Sequence, residues 1–283
     1  MKQFMRTAAR TLAALAVTAA ASLTVSAAAA QSTWETIKER GTLRIGVAQA
    51  PPWFSKDPRT GEWNSGLGIS VGKAMAETLG VELETVEITW GTAIAALETG
   101  KIDIQFQMDA TPERALVVDF PKQPFDFVSL AVLANDDLDT STWAGLNKPE
   151  ISIAVPQATS MDAFLTRNTP NADIQRFPDN AGAIAAFQSG RVDAVSLFFP
   201  PLLSALKKLG HGKVVIPQPA FSSPSSAAVR REPDKTFRDW VDTTIYYYYE
   251  TGQTQKWYEE VVAEFGLDPA KVPPIQRELL FLK

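Results

Sequence analysis

The chain has no cysteine and a single histidine in 283 residues, and these two shortages remove much chemistry at once. No disulfide can staple the fold, no thiolate can serve as nucleophile or metal ligand, and no lipid can be attached through sulfur. His211, in Leu209-Gly210-His211-Gly212-Lys213, lies in a turn after an amphipathic helix and reads as a surface residue. A basic excess is missing too. Lys and Arg number 27 against 32 Asp and Glu, a net charge of −5, the wrong sign for a surface that must neutralise phosphates. No nucleic-acid partner is expected. There is no His-Glu metal motif and no Gly-Lys-Ser/Thr phosphate loop, so neither a metal nor a cofactor is expected. Gly66-Leu67-Gly68 with Gly72 has only a superficial dinucleotide look, because its spacing is wrong and it does not directly follow the first strand.

Apolar runs long enough to notice are confined to the N-terminus. Lys2, Arg6 and Arg10 lead into an apolar stretch from Thr11 to Ala21, and Ala28-Ala29-Ala30 places small residues before Gln31. This is the pattern of a secretory signal peptide over residues 1–30, cleaved near Ala30. The stretch is shorter than the roughly 20 residues of a membrane-spanning helix. The expectation is an exported, untethered chain in a Gram-negative periplasm. Cleavage would leave 253 residues and, with three cations gone, a net charge of −8. That length suits one large domain or two lobes of about a hundred residues each.

One phrase occurs twice. Ala95 to Ile104 reads AALETGKIDI, and Ala185 to Ala194, 90 positions later, reads AAFQSGRVDA. Each copy is the end of a helix, a Gly suited to the left-handed position, a basic residue, and a short apolar strand carrying one Asp. Two such helix-to-strand joints suggest two α/β units. The flanking pattern agrees. Strands are expected at 43–47, 81–88 and 102–106, with helices at 70–79 and 92–98 between them. Pro51-Pro52-Trp53-Phe54 reads as a rigid loop with two exposed aromatics, and Thr111-Pro112-Glu113-Arg114 as a helix start with Thr at the cap and Pro at the first helical position. A second series follows, with strands at 151–155, 192–198 and 214–216 and helices at 161–167, 180–188 and 201–209. Residues 217–226 read as a low-complexity crossing, 227–229 as a short strand, and 237–249 and 254–265 as closing helices. Of Tyr246 to Tyr249, one or two are expected to pack and the rest to lie half exposed, since a helix spreads four consecutive residues over all its faces.

The expected fold is α/β: a first lobe from residues 31–125, a second from 126–225, and a return segment from 226–283 that completes the first. Two crossings, near Pro124 to Val128 and Ser222 to Ser226, would hinge the lobes over a ligand held at strand and helix ends.

The segments GTLRIGV, PPWF, ISVGKAMAETLGVELE, TPERALVVDF, GRVDAV and ETGQTQKWYEEVVAEFG stand in an order and spacing that resembles the family 3 periplasmic solute-binding proteins. The resemblance covers nearly all of the chain after residue 30. It implies a two-lobed, type II Venus-flytrap fold with a two-strand hinge and a monomer that binds an amino acid or related small carboxylate for an ABC transporter permease in the inner membrane. It also implies residue roles. Arg114 would clamp the ligand α-carboxylate, whose two oxygens suit a guanidinium fork. Trp90 would wall the side-chain pocket, Thr159 and Ser160 would meet the carboxylate at a helix N-terminus, and Trp53 would follow the loop that lines the cleft. Ser160 as an ordinary helix cap is the competing explanation.

Two departures from the family pattern bear on the ligand. Members that bind α-amino acids carry an Asp for the ammonium five residues after the Asp of the second joint, and here that position is Phe198. Just before the Arg114 element, two positions that are usually small or hydroxylic are Gln107 and Asp109. Asp109 either takes over the ammonium from the opposite lobe, or pairs with Arg114 while the ligand is a carboxylate without an α-amino group, packed on Phe198 and Trp90. Val47 to Ala50 lacks the acid that binders of cationic amino acids often carry. The alternative from another class is a periplasmic enzyme on the same scaffold, of cyclohexadienyl-dehydratase type, with Asp109 or Asp162 as its acid or base.

Overall fold

The computed structural model describes residues 31–280, and the signal peptide expected over residues 1–30 lies outside the described residues. The chain lays down helix α1 (Thr33–Arg40), strand β1 (Thr42–Val47), a hairpin of β2 (Ser55–Lys56) and β3 (Trp63–Ser65), then α2 (Leu67–Leu79), β4 (Glu82–Glu87), α3 (Ala93–Glu98), β5 (Ile104–Asp109) and the short β6 (Val118–Asp119). It crosses on β7 (Asp126–Ala134) and builds α4 (Trp143–Leu146), β8 (Ser152–Pro156), α5 (Ser160–Asn168), β9 (Asp173–Phe177), α6 (Asn180–Gln188), β10 (Ala194–Phe198), α7 (Phe199–Leu209) and β11 (Lys213–Val215). Strand β12 (Ser222–Arg230) brings it back, and α8 (Thr236–Glu250), α9 (Gln253–Glu264) and α10 (Arg277–Leu280) follow.

Hydrogen bonding orders the main strands β4-β1-β5-β12-β7-β10-β8-β9. In the first lobe β1 is parallel to β4 and β5, while β12 is antiparallel to β5. In the second, β8 is parallel to β9 and β10, while β7 is antiparallel to β10. Each lobe is therefore a parallel layer flanked by one antiparallel crossing strand. The crossing strands pair with each other from Ser222↔Ser129 to Ser225↔Asp126. The result is a two-lobed α/β fold of the type II binding-protein class with a two-strand hinge. Parallel strands need apolar cover on both faces. In the first lobe Leu43, Ile45 and Phe106 share a core with Phe237 of α8 and Tyr258 of α9. In the second, Leu133, Ile153 and Leu197 pack with Phe187 and Leu202. Phe198 packs against both cores.

The repeated phrase has one structural meaning. Gly100 and Gly190 adopt φ of 65° and 68°, which glycine alone reaches without a Cβ penalty. Each following Asp then locks its strand to a parallel neighbour. Asp103 N donates to Arg44 O at 2.9 Å while its carboxylate accepts from Arg44 N at 2.8 Å. Asp193 N donates to Ser152 O at 3.0 Å while its carboxylate accepts from Ser152 N at 2.8 Å. The joints fix β5 against β1 and β10 against β8.

Several expectations change. Trp53 and Phe54 are buried, at 3% and 0% exposure, because α2 begins at Leu67 and the bare face of Gly68 makes room for the Phe54 ring. A Cβ on Gly68 would sit 2.2 Å from Phe54 Cε1. Trp53 stacks on Tyr258 with ring centroids 6.0 Å apart. Thr111-Pro112-Glu113-Arg114 starts no α-helix, since a turn there leads only to one 3₁₀ turn at Arg114–Leu116. The crossing read as low-complexity becomes strand from Ser222, its small Ser and Ala side chains fitting between β5 and β7. Strand β9 was not expected, because an edge strand with Asp173, Gln175 and Arg176 lacks an apolar alternation. In α8, Tyr249 is buried while Tyr246 and Tyr247 are exposed.

Gly68→Ala is expected to lower stability by about 1–3 kcal/mol through overpacking against Phe54. Gly182→Ala, where a Cβ meets only ordinary contacts on α6, should be neutral or stabilising by up to about 1 kcal/mol. Urea denaturation midpoints at unchanged slope give both values.

Candidate functional site

The site begins with an irregularity in β5. Ser226 pairs with Met108 and Ala227 with Phe106, which leaves Gln107 as the bulged residue with φ at 61°. A bulge redirects its side chain, and a non-glycine in the left-handed region persists only where its surroundings hold it. They do so on both sides. Gln107 Nε2 donates to Asp126 Oδ2 at 2.6 Å, and its Oε1 accepts from Ser225 Oγ at 3.1 Å. The bulge is thereby tied to the first residue of β7 and to the facing residue of β12.

Asp109 ends β5 and is 5% exposed. Its carboxylate accepts a hydrogen bond from Ser160 Oγ of the second lobe. Burial raises its pKa above the ordinary 3.8, with the Ser160 and Ser223 hydroxyls and the Arg114 charge opposing the rise. Arg114 donates Nη1 to the Asp109 backbone carbonyl at 3.1 Å and Nη2 to Ala158 O at 3.2 Å. Of the two alternatives for Asp109, the pairing of its carboxylate with Arg114 is not what the structure shows. Arg114 hydrogen-bonds the backbone of that residue, and Ser160 holds the carboxylate. A guanidinium with two neutral carbonyl acceptors keeps its charge available for an anion.

Helix α5 supplies the facing wall. Thr159 Oγ1 accepts from Asp162 N at 3.2 Å and donates to Pro156 O at 2.7 Å. Helix capping, the competing role for Ser160, therefore belongs to Thr159. Trp90 opens a 3₁₀ turn and donates Nε1 to Asn180 Oδ1 at 3.1 Å, joining the first lobe to the first residue of α6. Phe198 ends β10 as Asp109 ends β5, so the two lobes present an apolar and an acidic residue at corresponding strand ends. Ligands of open α/β sheets settle at such carboxyl ends.

A cavity lies here, and the structure brings Trp53, Trp90, Gln107, Asp109, Arg114, Thr159, Ser160 and Phe198 together around it. Met108, Met161, Asn180 and Pro201 also line it and were missed. Asn180 had a signal in the Asp179-Asn180 start of a helix. The others had none, because apolar residues at element ends look like core in sequence. Among the described residues no cluster of His, Cys, Asp or Glu is placed to hold a metal ion.

Behind Gln107, Asp126 is fully buried, and its Oδ1 has no hydrogen-bond partner among the described residues. Burial pushes this carboxyl up to about 7, with the Gln107 hydrogen bond opposing and the Asp109 charge adding to the rise. The folded state therefore binds this proton more tightly than the unfolded chain, whose value is near 3.8. The associated stability is complete below about pH 4 and is lost as pH rises through about 7. Asp126→Asn should flatten that dependence. Thermal melts from pH 4 to 8 are expected to show the wild type losing stability over this window and the variant losing several degrees less.

Comparison with known proteins agrees with the geometry. Residues 43–264 match the bacterial extracellular solute-binding proteins, family 3. The chain is 24% identical over 258 residues to the L-cystine-binding protein TcyJ of Escherichia coli K12, covering 91% of this chain and 95% of that protein. It is 32% identical to the crystallised ancestral amino acid-binding protein AncCDT-1, a precursor of cyclohexadienyl dehydratase, with a TM-score of 0.71 over 83% of this chain and 99% of that one. The cysteine-binding protein of Campylobacter jejuni superposes with a TM-score of 0.76 at 25% identity, over 87% of this chain and 100% of its own. A match that runs from β1 to the end of α9, on a fold with these two lobes, means that the chain belongs to the family 3 bacterial extracellular solute-binding proteins.

Proposed function

We propose that the cavity captures an α-amino acid with its carboxylate on Arg114 and its ammonium on Asp109, for delivery to the permease of an ABC importer. The observation that carries this reading is the pair of opposite charges in one cavity: a guanidinium hydrogen-bonded to two carbonyls, and a buried carboxylate beside it. A zwitterion matches both. Its ammonium would favour the ionised form of Asp109 and so oppose the effect of burial. Phe198, Trp90 and Trp53 leave apolar surface for the side chain, and relatives named for cystine, glutamine and arginine binding support an amino acid as the ligand class.

Both walls of the cavity come from one chain, which supports action as a monomer. The signal pattern in the sequence supports export to the periplasm, and among the described residues no helix is long and apolar enough to cross a membrane. A ligand that bridges Arg114 in the first lobe and α5 in the second favours the closed arrangement only by its differential affinity for it. That closed pair of lobes is the form the permease would read.

An enzymatic reading has in its favour the burial of Asp109 in the cavity, which raises its pKa, and a relative described as a precursor of a dehydratase. Recovery of the bound ligand unchanged after prolonged incubation decides for binding.

Arg114→Ala is expected to weaken amino-acid binding by about 100-fold or more, since each charge-assisted hydrogen bond contributes roughly 1.5–3 kcal/mol, with an unchanged circular dichroism spectrum. Calorimetry across the standard amino acids and their deaminated counterparts measures this. In the same titrations Asp109→Asn should cost α-amino acids at least ten-fold and their deaminated counterparts little; equal losses for both would count against the ammonium assignment.

A further inference from the structure

A second cavity adjoins the first and shares Asn180 and Pro201 with it. It runs between α6 and α7 of the second lobe and is roofed by the first-lobe loop Gln49 to Pro51. The helices explain the space. Ala181 and Ala185 on α6, and Ala205 on α7, are small, and their spacing puts them on the faces that look at each other. The Trp90–Asn180 hydrogen bond stands at the boundary between the chambers.

Apart from Asn180, the outer chamber has polar residues of its own. Ser204 is 4% exposed, lines the chamber, and its hydroxyl has no hydrogen-bond partner among the described residues. A buried hydroxyl without a partner costs free energy unless something satisfies it. Lys208, one turn along the same face of α7, also lines the chamber, and no ion pair engages it among the described residues. Its neighbour Lys207 instead donates to Gly266 O. Gln188 contributes an amide, and Gln49, whose Oε1 already accepts from Lys56 N at 3.1 Å, keeps its NH₂ as a donor. No acidic side chain lines the chamber. Each of its polar side chains can donate a hydrogen bond, and Lys208 carries a positive charge.

We infer that the outer chamber is a second subsite that seats a distal carboxylate, so that the preferred ligand is an elongated amino acid with an acid at each end. One carboxylate lies on Arg114, the chain passes Asn180 and Pro201, and the far carboxylate meets Ser204 Oγ and Lys208 Nζ. This inference rests on the proposed amino-acid binding and adds the ligand's length and second charge.

The test uses L-norleucine and L-2-aminopimelate, which differ only by a carboxylate at the far end. Calorimetry with the wild type, Lys208→Met and Ser204→Ala, all checked for unchanged thermal unfolding without ligand, gives the result. The wild type is expected to bind L-2-aminopimelate at least about ten-fold tighter than L-norleucine. Lys208→Met should remove that preference and leave L-norleucine affinity unchanged, and Ser204→Ala should reduce it. Equal affinities in the wild type, or a preference that survives Lys208→Met, overturn the subsite while leaving the amino-acid reading intact. Failure of every amino acid to bind, with Arg114→Ala indistinguishable from wild type, overturns that reading and this inference with it.

Discussion

The pairing of β7 with β12 joins two separately built layers into one path of strands, and the placement of the cleft follows from it. Each strand belongs to one lobe at one end and runs beside the other lobe at the other end, so relative motion of the lobes must pass through four residue pairs, Ser222↔Ser129 to Ser225↔Asp126. The Gln107 bulge attaches to this point. Its amide bonds Asp126 on one crossing and reaches Ser225 on the other, so the backbone leading to Asp109 is anchored at the hinge itself. A site whose charged wall is fixed to the hinge keeps its geometry while the facing wall turns, which suits rigid-body closure.

Electrostatics in the cleft are shaped by burial more than by pairing. Asp126 and Asp109 are both withdrawn from water, and the charge of Asp109 adds to the rise at Asp126. Two nearby carboxyls in a low dielectric resist ionising together. Arg114, held by two carbonyls, restores charge balance only partly. A bound zwitterion would complete it, supplying an anion to the guanidinium and a cation to Asp109. The same pocket is poorly matched to an uncharged ligand, which would leave the Arg114 charge without an anionic partner.

The two lobes solve one construction problem twice. In each, a Gly ends a helix, an Asp locks the next strand to its parallel neighbour, and that strand delivers a residue to the cleft: Asp109 from β5 and Phe198 from β10. The divergence at these ends is where the site acquires its character. Phe198 packs against both cores, so it serves as a spacer between lobes as well as a wall, and a carboxylate there would be placed against apolar surface from both sides.

The local chemistry of the chain determined a good deal. Glycines that accept a left-handed backbone, Asp at the head of a strand, and alternating helix and strand periods made two α/β units legible, because each depends on neighbours a few residues away. Cleft membership of Arg114, Asp109, Trp90 and Phe198 was legible only through segments resembling a known family. Tertiary structure decided the rest. It buried Trp53 and Phe54 where a loop had looked exposed, since only the meeting of Gly68 with the Phe54 ring makes room for them. It gave the helix cap to Thr159 and the Ser160 hydroxyl to Asp109, and it opened a second chamber between helices whose alanines had no evident purpose. These outcomes turn on contacts between residues such as Asp109 and Ser160, 51 positions apart, or Trp90 and Asn180, 90 apart. Local propensity does not encode which distant surfaces will face each other, because that is settled when the lobes pack.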